Sequence, residues 1–180
     1  MNDLEREKKK GLSLLYLIKA AVVRRLIGQK YHTPGFGFAA QLFASMAREV
    51  IAEMGQEKGE SLIKRAVESF GRERGKRIAE RVTGKGKPLS LRNWIIYTDI
   101  DGSNFPAKVT FPEGDLEAHV KNCSFIQAAD VWGLRDYASL YCKYADYAIL
   151  DGYNPDVHLT LKSRHETGND YCAFRYRMKK

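Results

Sequence analysis

The stretch CKYADYAILDGYNPDVHLTLKSRHETGNDYCAFRY, residues 142–176, decides how this chain reads. It opens as the end of a helix, passes through a tight turn and becomes a two-stranded hairpin. Cys142 and Asp146 stand four residues apart, so a helix places them on one face. Gly152 is expected to close that helix, because glycine accepts the left-handed conformation that helix ends often need. Asn154-Pro155 then turns the chain out of helical geometry, which the residue before a proline disfavours. From Val157 the period is two. Val157, Leu159, Leu161, Ser163 and His165 share one side, and His158, Thr160, Lys162 and Arg164 share the other. Cys172, Phe174, Tyr176 and Met178 form the more apolar face of the second strand.

Gly168-Asn169 suits a two-residue hairpin loop. That loop sets Thr167 against Asp170, Glu166 against Tyr171 and His165 against Cys172. Directly opposed residues bring their Cβ atoms to about 4.5–5.5 Å. A histidine and a cysteine so placed, with Cys142 on the preceding helix, can converge on a metal or a reacting atom. They can equally be core residues, since cysteine is among the most buried types.

Outward from this stretch the pattern alternates between helices and strands. Helices are expected over 39–54, 57–70, 72–83, 124–132 and 136–150, with Gly55, Gly71 and Gly133 between them. Strands are expected over 94–97, 107–111 and 116–122, and Ser90 is placed to cap a turn into Asn93. His119 falls on the polar side of its strand. The order predicts an α+β fold, an antiparallel sheet of four to five strands with helices packed on one face. A length of 180 residues suits a single domain, 1–180. Within it Leu12, Leu15, Ile18, Val22 and Leu26 mark residues 1–30 as an amphipathic helix, suited either to packing on its own domain or to serving as a homo-oligomerisation arm, ahead of the α+β part over 31–180. His32 and two phenylalanines share the Pro- and Gly-rich loop YHTPGFGF.

Charge narrows the partners. Residues 1–92 hold 20 Lys and Arg against 10 Asp and Glu, and the remainder holds 10 against 12. The basic residues alternate with Glu along helices, as in GRERGKRIAERV, without aromatic interleaving, so they read as a solvated face and not as a nucleic-acid site. No apolar run reaches membrane-spanning length, and no signal-peptide layout is present, which gives a cytoplasmic expectation. Three cysteines at scattered spacing do not form a secreted disulfide framework.

The same stretch carries a family likeness. In order, Cys123, Gly133-Leu134, Cys142, Asp146, GYNP at 152–155, Leu159 and CAFRY at 172–176 resemble the L-2-amino-thiazoline-4-carboxylic acid hydrolase family. MGQEKGESLIKRAVESFGRERGKRIAERV and GKPLSLRNWIIY extend the likeness upstream, so it covers roughly residues 45–180. The chain departs from the pattern at Ala173, where the family leads one to expect an acidic residue after the cysteine, and at Thr98-Asp99, where it leads one to expect a glutamate near the tyrosine. A remoter layout resembles the 4-vinyl-reductase domain, a ligand sensor with cysteine-bound zinc. Cys142, His165 and Cys172 occupy comparable positions.

The hydrolase resemblance implies opening of a 2-amino-thiazoline ring to N-carbamoyl-cysteine. Water must add to the amidine-like carbon, a proton must move, and sulfur must leave. His165 is the first candidate for general base, with Asp146 orienting it or acting as base itself. Asn154 can donate a hydrogen bond to the atom that gains charge. Cys172 or Cys142 can attack covalently if either forms a thiolate. Tyr153, Arg164 and Arg175 are the candidate substrate-binding residues, the arginines for a carboxylate. If a divalent metal is bound, Cys142, His165, Cys172 and Cys123 are its candidate ligands, and such a set favours zinc. The contrasting expectation is a non-catalytic small-molecule sensor with a structural metal.

Overall fold

A computed structural model describes Ile18, Val22, residues 35–162 and residues 170–178. Two compact units divide the chain, 1–34 and 35–180. In the first, Ile18 and Val22 are both helical and exposed, one helical turn apart. The second holds five described helices and a four-stranded antiparallel sheet, an α+β fold with no helix long and apolar enough to cross a membrane among the described residues.

Helix α1, Gly35–Met54, buries Gly37, Ala40, Gln41, Ala44 and Ala47 at spacings of three and four. These small side chains let its neighbours approach closely, and the amide of buried Gln41 donates to the Ala128 carbonyl at 3.0 Å. Gly55, at φ 78°, breaks the chain before α2, Gln56–Thr83. Sequence spacing predicts two helices parted at Gly71. The structure has one helix of 28 residues.

The reason is packing. α2 lies against α5, Arg135–Tyr153, almost backbone to backbone. A Cβ on Gly71 would stand 2.8 Å from that of Ala148, and one on Gly152 would stand 2.1 Å from the Arg72 carbonyl oxygen. These glycines clear a contact surface; neither ends a helix. Gly152 accordingly lies inside α5, which runs on to Tyr153 and ends at Asn154, whose backbone N–H donates to the Leu150 carbonyl at 2.8 Å. Where the two helices meet solvent, Glu60 accepts from Lys143 at 2.7 Å and from the Tyr144 hydroxyl at 2.6 Å. Those donors pull its carboxyl down to about 2.

Residues 94–97 are the second correction. They belong to helix α3, Leu91–Tyr97, not to a strand. An apolar run of four cannot distinguish the two periods, and the cap decides: the Ser90 hydroxyl accepts from the Asn93 amide at 3.3 Å. Arg81 secures the far end by donating to the Tyr97 carbonyl at 2.8 Å. Helix α4, Ser124–Val131, stops where expected. Gly133 at φ 67° and the Leu134-to-Ala129 backbone bond of 2.9 Å form a Schellman end.

The sheet runs β1 (Ala107–Thr110), β2 (Leu116–Val120), β4 (Cys172–Met178), β3 (Val157–Lys162), in that spatial order. Val157, Leu159, Tyr176 and Met178 join the core built by α2 and α5, with Ile63, Val67, Ile78, Ile149 and Tyr153. β3 and β4 pair as the hairpin pattern predicts, but the register differs by two residues. Leu159 opposes Tyr176 and Leu161 opposes Phe174, where a two-residue turn at Gly168-Asn169 requires Leu161 opposite Tyr176. A shift of two keeps every side chain on its face, so the burial pattern satisfies both registers. Ser163 to Asn169, including the expected turn and His165, lie outside the described residues.

Candidate functional site

α5 supplies the centre of the site. Cys142 and Asp146 stand one turn apart on the helix face that also carries buried Ile149 and Tyr153. Cys172 begins β4, and Cys123 precedes the first turn of α4. The helix, the strand and the α4 entry bring three thiols and one carboxylate into mutual electrostatic range. The charge of Asp146 raises the pKa of both Cys123 and Cys142, and Cys172 acts on both thiols in the same sense. All three cysteines are free and partly exposed.

Burial sets the chemistry here. It pushes the Asp146 carboxyl from its ordinary 3.8 up to about 6, and the positive charge of Arg74 opposes the rise. The Cys142 thiol is pushed far up, first by burial and then by Asp146, so it stays protonated at neutral pH. Cys123 is also raised by burial, against the partial opposition of the Phe125 and Ile126 amides. The Tyr176 hydroxyl, raised by burial and by the Asp146 charge, is held neutral. Asp146 thus titrates near neutrality within charge range of a Cys142 thiol and a Tyr176 hydroxyl that keep their protons.

The walls are aromatic. Tyr141 contacts Phe43 at 5.6 Å and Phe125 at 4.9 Å between ring centroids, and Phe36 stands 5.2 Å from Phe125. Cys123 and Cys142 pack against this same cluster. On the α2 side, Asp99 grips Arg74 through a fork, Nε at 2.9 Å from both carboxylate oxygens and Nη2 at 2.6 Å from one. Nη1 of Arg74 reaches the Tyr141 hydroxyl at 3.5 Å.

The structure thus gathers Cys142, Asp146, Cys172 and Cys123. His165 and Arg164 lie outside the described residues. Asn154 holds the turn. Its Nδ2 donates to the Leu89 carbonyl at 2.6 Å while its Oδ1 accepts from the Asp156 amide at 2.9 Å. Tyr153 is 2% exposed and its hydroxyl donates to the Ser90 carbonyl at 2.8 Å. Arg175 sits on the sheet face opposite Phe174 and Tyr176, with Nε and Nη2 each 2.8 Å from buried Asp115. His119 shares that far face, its Nε2 2.9 Å from Glu117 and its ring stacked on Tyr171 at 4.4 Å. Among the described residues no three His, Cys, Asp or Glu side chains are grouped so as to hold a metal ion.

Sequence reasoning passed over Arg74, Asp99 and Tyr141. Asp99 was visible only as a departure from the family pattern. Arg74 lies between Gly71 and Gly75, the residues at which α2 and α5 touch, so the glycine pair was the signal available for it.

Fold and site together define an α+β domain in which a buried carboxylate lies within charge range of cysteine thiols. The chain belongs to the L-2-amino-thiazoline-4-carboxylic acid hydrolase family, whose model matches residues 36–176 and so spans every described part of the centre. No curated protein matches the sequence. One solved structure, a trafficking protein particle complex subunit 3 from Naegleria fowleri covalently bound to palmitic acid, is similar over 79% of this chain and 96% of that one. Its identity is 17% and its TM-score 0.46, a likeness at which function is not legible.

Proposed function

We propose that this protein hydrolyses a small cyclic amidine of the 2-amino-thiazoline-4-carboxylate type, with Asp146 as general base. The observation that carries the reading is the place of Asp146: a carboxylate that burial pushes up to about 6, one helical turn from Cys142 and within charge range of Tyr176 on β4, in the segment that bears the family likeness. A base poised near the working pH gains most from proton transfer.

The step balances with one water. Its oxygen bonds to the amidine carbon of the ring, and Asp146 takes the released proton and passes it to the ring nitrogen. The carbon–sulfur bond then breaks with its electron pair on sulfur. Sulfur collects the remaining hydroxyl proton as the carbonyl forms, leaving N-carbamoyl-cysteine with a free thiol. Tyr176 of β4, within charge range of Asp146, keeps its proton and is available as a donor.

Attack by a resting Cys142 thiolate fits less well, because burial keeps that thiol protonated. The test is a turnover screen on thiazolines and related lactams with freshly purified protein, beside metal analysis. Thiol release matched to substrate loss supports the hydrolase. Tight binding without turnover points to a sensor. His165→Ala, with melting followed in parallel, distinguishes a second proton carrier from a residue that only packs.

A further inference from the structure

We infer that Arg74, held by Asp99, is the residue that recognises the carboxylate of the ligand. The inference rests on the reading of the Asp146 centre as a ligand site. A guanidinium has two edges that can bind a carboxylate bidentately. Asp99 fills the Nε–Nη2 edge, with contacts of 2.9, 2.9 and 2.6 Å. The Nη1–Nη2 edge has only the long 3.5 Å contact to the Tyr141 hydroxyl among the described residues. That edge faces the residue next to Cys142.

Position and rigidity favour this arginine over Arg175. The Arg74 side chain is 12% exposed, so water screens it little. Its neighbours Gly71 and Gly75 press α2 onto α5 at Ala145, Ala148 and Ile149, which bracket Asp146 in sequence. Its charge reaches both Tyr141 and Asp146. Arg175, by contrast, is committed to Asp115 on the far face of the sheet. A fixed guanidinium within charge range of a buried carboxylate suits a small ligand that carries a carboxylate and a basic amidine. The amidine end then lies toward Asp146, where the chemistry needs it.

The experiment compares two rings on the full-length protein: 2-amino-thiazoline-4-carboxylate, and the same ring without its carboxylate. Arg74→Gln is expected to lower kcat/KM for the carboxylated ring roughly 30- to 100-fold, mostly through KM, and to change the bare ring by less than about 3-fold. Arg74→Lys should recover part of the loss, as a charge without the fork geometry does. Equal losses on both rings, or no loss on the carboxylated one, overturn the proposal. Asp146→Asn separates this result from the hydrolytic reading. If that variant keeps activity on both rings, the base assignment fails while the ring discrimination by Arg74 stands or falls by itself. If neither ring is turned over, calorimetric titration of both rings decides. Wild type must bind the carboxylated ring more tightly and Arg74→Gln must lose that preference; equal affinities, or no binding, overturn the inference. Should Arg74→Gln melt early, the Arg74→Gln/Asp99→Asn double variant avoids leaving Asp99 unpaired and is used in its place.

Discussion

Gly75 of α2 lies so close to Ile149 of α5 that a Cβ on the glycine would stand 2.0 Å from the Ile149 carbonyl oxygen. No side chain can occupy that space without separating the helices. The contact fixes how α5 is held, and α5 presents Cys142 on one side of this level and Tyr153 on the other, with Asp146 about one turn before Ile149. Gly75→Ala is therefore expected to destabilise the protein by about 2–4 kcal/mol, although alanine is the better helix former by about 1 kcal/mol. Chemical denaturation measures the change. A stabilised variant would show that the helices have room to part.

The glycines also show what a sequence does and does not disclose. Amphipathic spacing located α1, α4, the body of α5 and the two hairpin strands, because burial on one face leaves a period that can be read directly. It misread Gly71 and Gly152 as breaks, since a glycine that ends a helix and one that admits a neighbouring backbone look alike in one dimension. The four residues 94–97 were too few to show a period. The register of β3 on β4 was off by two because alternation is unchanged by an even shift. Of the centre, Cys142 and Asp146 were legible from their spacing of four. Cys123 and Cys172 joined them through a family likeness and a strand face. Arg74 was hidden, because nothing in one dimension says that residues 25 apart, Arg74 and Asp99, form a fork beside Tyr141.

Asp146 leaves a mark on stability as well as on rate. Its carboxyl titrates near 6 in the folded chain, against an ordinary 3.8. Between these values the folded state binds the proton and the unfolded state does not, so the contribution of Asp146 to stability falls as pH rises from about 4 to about 6 and levels off above. Asp146→Asn should abolish this fall and raise stability at pH 8 by about 1–3 kcal/mol. Denaturation of both proteins at pH 4 and pH 8 checks it, and an Asn variant weaker than wild type at pH 8 contradicts it.

Asn154 carries the opposite signature. Its side chain accepts within the turn that joins α5 to β3, from the Asp156 amide, and donates to the Leu89 carbonyl ahead of α3. Asn154→Ala is expected to cost about 1–3 kcal/mol of stability. Turnover per folded molecule should stay within a few-fold of wild type. A loss of kcat by two orders of magnitude at unchanged melting temperature would assign Asn154 a chemical role instead.

The raised pKa of Cys142 predicts a slow thiol. At pH 8 its alkylation by iodoacetamide, followed by peptide mass spectrometry, should run at least about 10-fold slower than that of a free cysteine. Cys142→Ala should retain a substantial part of the turnover. Rapid alkylation that abolishes activity would instead identify a thiolate nucleophile.

The most direct measurement is the pH dependence of thiol release from 2-amino-thiazoline-4-carboxylate by wild type and by Asp146→Asn, with circular dichroism confirming that both are folded. Asp146 must be deprotonated to accept the proton of water, so kcat/KM for wild type should rise with pH and bend near 6. The Asn variant should be slower by about 100-fold or more across the range. An Asn variant that releases thiol at the wild-type rate, or a wild-type profile without a bend near 6, would contradict the assignment of Asp146 as the base.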